Sequence, residues 1–149
     1  VSANPRPLLL GALLGIATAA GAQVINDEVE GDGIAKPLTG IAGNPTRGRN
    51  LLLARDPANC LDCHTIARDK DLAGGTRGPA LDGIGAVLSA AQLRLSVVDY
   101  AQITPKAGMP SFHKRESGLL IGKQDRDKPV LNAQQIEDVV AYLASLKTK

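Results

Sequence analysis

Cys60 and Cys63 are the only thiols in the 149 residues; two residues separate them, and His64 follows the second directly. A short turn of this kind holds two sulfurs along one edge of a flat macrocycle and sets an imidazole beneath it. The chemistry that suits it is covalent capture of haem, in which each sulfur adds to a vinyl group and the histidine binds iron. Two other chemistries use the same residues. A C-x-x-C pair can cycle as a disulfide, but such motifs sit near a βαβ pattern, and no β-branched strand runs occur here. A structural zinc site wants four Cys or His ligands. This chain offers Cys60, Cys63, His64 and His113, two of them adjacent, an arrangement that rarely closes on one tetrahedral ion. Haem is the reading whose context is best met.

A haem iron has a second axial position to fill. Met109, the single methionine, lies between Gly108 and Pro110 in the loop Thr104-Pro105-Lys106-Ala107-Gly108-Met109-Pro110. A methionine serving as core filler more often occupies a helix face or strand, so Met109 is the candidate sixth ligand, its thioether favouring ferrous iron. His113 is the rival; in the polar run His113-Lys114-Arg115-Glu116 its plainer reading is a surface histidine. On the other side of the motif, Gly74-Gly75-Thr76-Arg77-Gly78-Pro79 lets the chain pass close to the ring, and a backbone carbonyl there could accept from the second nitrogen of His64. Arg77 and Lys106 are near these loops in sequence only.

Three helices must position these groups. Asn44-Pro45 gives a cap and a first-turn proline, followed by about ten residues through Ala54 with Gly48 as a small spot; Asp56-Pro57 ends it. Ser89 and Gln92 form a capping box that opens a helix to about Tyr100, with Leu93 and Val97 on one face. Asn132 and Gln135 open the clearest helix, where Ile136, Val139, Val140, Leu143 and Leu146 repeat at helical spacing. Tyr142 sits beside that stripe, where its ring could press on Gly48. The charge run Arg68-Asp69-Lys70-Asp71 reads as solvated, and Leu119-Leu120-Ile121 as an apolar patch either buried or facing a partner.

Residues 1–22 carry Arg6 as their only charge, an apolar run over 8–20 and the small residues Ala20-Gly21-Ala22. They are expected to be a secretory signal peptide cut before Gln23, too short to cross a bilayer, which takes about 20 apolar residues. An uncleaved tether is the alternative. The remaining 127 residues fit one domain. Residues 23–43 are polar and glycine-rich, an extended arm that is either a loose tail or a strap across a partner. Without Arg6 the basic count falls from 17 to 16 against 15 acidic residues, and no basic stripe with aromatics suggests nucleic acid. Phe112, Tyr100 and Tyr142 are the only aromatics. So few large side chains fill a core poorly, unless a buried haem gives the aliphatic residues a slab to pack on.

The helix with its glycine, Cys60-x-x-Cys63-His64, Gly78-Pro79-x-Leu81, the methionine loop and the ending Ala141-Tyr142-Leu143 together resemble class I cytochromes c over residues 44–147. That resemblance implies an all-α domain over 44–149 around one covalent haem c. His64 and Met109 would be its axial ligands, and the Pro79 carbonyl the partner of His64. A narrower resemblance is to the SoxX family, monohaem subunits of the SoxAX cytochrome of periplasmic thiosulfate oxidation. It rests on Pro37-Leu38-Thr39-Gly40, Gly43-Asn44-Pro45-Thr46-Arg47-Gly48, Leu88-Ser89-Ala90-Ala91-Gln92-Leu93-Arg94, Gly108-Met109-Pro110-Ser111-Phe112 and the run from Pro129 to Leu143. Residues 116–128 fit less closely.

The SoxX resemblance implies a heterodimer with a SoxA-type haem subunit, whose site joins thiosulfate oxidatively to a carrier-protein cysteine. This chain would take the electrons through its haem and pass them to another cytochrome. No catalytic residue is expected in it, because haem uses both cysteines. A free soluble carrier cytochrome and a thiol-disulfide oxidoreductase are the competing functions.

Overall fold

The computed structural model describes residues 28–67, 74–113 and 129–148. The signal-peptide expectation for 1–22, the charge run at 68–71 and the patch at 119–121 lie outside the described residues. Within them four helices form: α1 Pro45–Leu53, α2 Ile84–Val87, α3 Ala90–Asp99 and α4 Ala133–Ser145. Single 3-10 turns occupy Cys60–Asp62 and Tyr100–Gln102. No strand forms among the described residues, which leaves an all-α fold with one isolated bridge between Glu30 and Gly33.

Each longer helix starts where its sequence provides a cap. The Asn44 side chain accepts from Arg47 N at 3.0 Å, with Pro45 in the first turn, where its missing N–H has no helical partner to lose. Ser89 with Gln92 and Asn132 with Gln135 form reciprocal capping boxes, each satisfying two otherwise orphaned N–H groups. The predicted α1, α3 and α4 are therefore present. The four-residue α2 carries too little periodicity to be read from sequence; Gly83, with φ of 75°, makes the turn that starts it.

α4 is the hub. It packs against α1, α3 and α2, most extensively against α1, and buries Ile136, Val139, Val140, Tyr142 and Leu143. Gly48 allows the α1–α4 approach, because a β-carbon there would overlap the Asp138 carbonyl and crowd Val139 N. The groups nearest to Gly48 are thus backbone of α4. Arg47 clamps the same crossing, its Nε donating to Asp138 Oδ2 at 2.6 Å and Nη2 to Oδ1 at 2.8 Å.

The arm over 28–43 lies on α3 and α4 of its own chain. Ile34 is fully buried, and its N–H donates to Ala91 O at 3.0 Å. One isoleucine contributes about 1.5–3 kcal/mol, whereas ordering each backbone residue costs about 1–2 kcal/mol. Burial of that one side chain is therefore not enough, and polar anchors act beside it. Buried Arg94 and Glu137 form a two-pronged ion pair at 2.7 and 3.0 Å; Arg94 Nη1 also donates to Ile34 O at 2.6 Å, and Glu137 Oε1 accepts from Leu38 N at 2.8 Å. Thr39 Oγ1 donates to Gln134 Oε1 at 2.8 Å. The arm satisfies valences that the α3–α4 pair would otherwise leave open in its interior.

Candidate haem site

α1 ends at Leu53, and the chain reaches the motif through Asn59, whose φ of 49° suits asparagine better than most side chains. The 3-10 turn Cys60–Asp62 then closes, with Cys63 N and His64 N both donating to Cys60 O, at 3.2 and 3.0 Å. Both sulfurs and the imidazole are thereby held on one tight turn. Residues 75–81 run alongside it, fixed by Gly75 N to Leu61 O (2.8 Å), Gly78 N to Cys63 O (2.8 Å) and Leu81 N to Thr65 O (2.9 Å).

The glycines of this stretch make room for the motif itself. Gly74 and Gly75 abut the backbone of His64 and Asp62. A β-carbon on Gly78 would come within 2.5 Å of the His64 ring. His64 Nδ1 lies 2.8 Å from Pro79 O. A carbonyl only accepts, so Nδ1 carries the hydrogen, and the neutral ring then presents its lone pair at Nε2, the tautomer that a metal ligand requires.

Cys60, Cys63, His64, Pro79 and Met109 all line one cavity of about 740 Å³. That volume lies in the range of cofactor pockets. Its walls are mainly aliphatic: Leu52 comes from α1, Leu81 and Ile84 from the segment after the motif, Leu93 and Val97 from α3, and Val139 and Leu143 from α4. The face of α3 predicted from Leu93 and Val97 is thus a cavity wall. Phe112 adds the single phenylalanine. An apolar cleft with two thiols on one turn, an imidazole of fixed tautomer and a thioether in its wall fits a covalently attached haem.

Burial pushes the Cys60 thiol up to about 11, so at neutral pH it stays protonated. Thiol-disulfide enzymes depend on the reverse, a thiol lowered towards or below neutrality. Among the described residues no group of three or more His, Cys, Asp or Glu could hold a metal ion. His113 is buried, contrary to its plainer sequence reading, and its Nδ1 lies 2.8 Å from Leu131 O; it is not part of the cavity wall. Arg77 is at the wall and exposed. No described helix is long and apolar enough to cross a membrane. Sequence reasoning missed Gly78 as the neighbour of the imidazole and Asp99 beneath the methionine loop; each depends on contacts that no local pattern encodes.

The cytochrome c family profile matches residues 45–147, and the chain belongs to that family: it is a haem electron-transfer protein whose cofactor is covalently bound haem c. The likeness narrows further. A chain in the crystal structure of SoxXA from P. pantotrophus is similar at 36% identity, over 78% of this chain and 90% of that one, with a TM-score of 0.72, which supports a SoxX-type cytochrome. No curated protein matches the chain.

Proposed function

We propose that this chain is the electron-transfer subunit of a periplasmic SoxAX-type complex, paired with a SoxA-type haem subunit that attaches thiosulfate to a carrier-protein cysteine. In this reading Cys60 and Cys63 would hold the haem through thioethers, and His64 Nε2 and the Met109 sulfur would bind its iron. The Pro79 carbonyl fixes the His64 tautomer and makes the imidazole a stronger donor. Bound there, the haem would supply one-electron chemistry, by which this chain would accept electrons released by thiosulfate oxidation and pass them to another cytochrome. The residues lining the cleft exclude water and hold both ligands in place.

The observation that carries the reading is the convergence of both cysteines, the carbonyl-bonded imidazole and the sole methionine on one apolar cavity. The likeness to a SoxXA structure supports the partner assignment. The raised Cys60 thiol counts against thiol-disulfide exchange.

Two measurements test this. The native protein should co-purify from periplasm with a second haem protein; a solely monomeric single-haem protein would favour a free carrier. Met109→Ala should keep its haem through denaturing electrophoresis, yet lose the thioether-to-iron band at the red end of the spectrum and show a lower potential. An unaltered spectrum removes Met109 from the iron.

A further inference from the structure

α3 ends at Asp99, directly before the segment that carries Met109. Asp99 is 2% exposed, and its two carboxyl oxygens reach the two ends of that segment. Oδ2 accepts from Gln102 Nε2 at 3.0 Å, where the chain leaves the helix; Oδ1 accepts from buried Ser111 Oγ at 2.6 Å, where it returns. Phe112 N then donates to Val97 O at 3.3 Å, so the returning chain is stitched to the last turn of α3. Between these two feet, residues 103–106, Gly108 and Pro110 are exposed, and a β-carbon at Gly108 would meet nothing within 4 Å. Within the loop Met109 packs against the core and Ala107 N donates to Thr104 O at 2.9 Å, but the residues on either side of Met109 are exposed.

We infer that Asp99 is a positioning residue for Met109, its carboxyl group bridging Gln102 and Ser111 so that the loop is held closed and the thioether is kept in the cavity. This rests on the assignment of Met109 as an axial ligand. Ser111 is only two residues from Met109, so a movement that withdraws the sulfur also pulls the serine hydroxyl from Asp99. The hydrogen bond is made in the closed loop and broken in the open one, and it biases the equilibrium between them. A buried bond of this kind is worth about a tenfold change in that equilibrium.

The test uses the intact ferric holoprotein and imidazole as a competing ligand, which binds only when the sulfur has left. Expected for Ser111→Ala and Asp99→Asn is a roughly tenfold tighter apparent imidazole affinity, a weakened thioether-to-iron band and a lower potential, with covalent haem retained. Ser111→Thr, which keeps the hydroxyl, should stay near the parent protein. Ser111→Ala leaves the buried carboxyl in place and keeps the test informative if Asp99→Asn folds poorly. Met109→Ala separates the two levels of inference. If it binds imidazole far more tightly than the parent while Ser111→Ala and Asp99→Asn match the parent, the clamp is overturned and the ligand stands. If Met109→Ala also matches the parent, the ligand assignment falls and the clamp with it.

Discussion

His64 shows how much of this site is decided by neighbours of a single side chain. One of its ring nitrogens donates to the Pro79 carbonyl, and Gly78 leaves room for the ring itself. Gly78→Ala would drive a methyl against the imidazole, and moving either the ring or the loop strains that hydrogen bond. The expected cost is about 1–3 kcal/mol, read from the denaturant midpoint with covalent haem unchanged; an unshifted midpoint would mean that the ring does not lie against residue 78. At this scale the sequence is informative where chemistry dictates spacing. The two cysteines, His64 and the lone Met109, which all line the cavity, can be picked out unaided, because the C-x-x-C-H spacing sets the first three in register and the methionine has no competitor of its own kind. Gly78 and Asp99 touch residues 14 and 12 positions away in sequence, and the His113 ring meets the carbonyl of a residue 18 positions on, so none of those contacts has a local signature.

Helices α1, α3 and α4 were legible for the same physical reason that they are stable. Asn44, Ser89 and Asn132 cap orphan N–H groups, and apolar residues recur on one face. How these helices cross was not legible beyond the hint of Gly48. Gly48→Ala provides a measure of that crossing. On an isolated helix the change would stabilise by about 1 kcal/mol. Here the added methyl meets the Asp138 carbonyl and Val139 N, which are backbone and cannot rotate away. Overpacking of about 1–3 kcal/mol or more should win. The denaturant midpoint should therefore fall, and a rise would show that α1 and α4 do not approach as described.

Across the whole molecule, α1 is held to α4 through one acidic side chain inside the fold, Asp138, which ties stability to pH. Burial by itself raises the Asp138 carboxyl, but hydrogen bonds from Arg47, Asn44 N and Gln134 together outweigh it and leave the group below its ordinary value. A carboxylate lowered in the folded state contributes stability above its unfolded value of about 4, and that stability is lost as pH falls further, through the folded value. Asp138→Asn should thus be less stable than the parent at pH 7 and lose less on acidification below about pH 4. Parallel acid limbs in the two proteins would exclude Asp138 as a source of acid sensitivity.

The order in which the walls of the cavity occur along the chain has its own consequence. A nascent polypeptide that has grown as far as Phe112 already holds both thiols, the imidazole and the thioether. It still lacks Leu131, Val139 and Leu143, which close the cavity from the α4 side. Until those last residues emerge, the crevice has no shut form. The wall from α4 is therefore the last part of the cavity to be made, and until then the crevice lined by Cys60 and Cys63 stays open on that side.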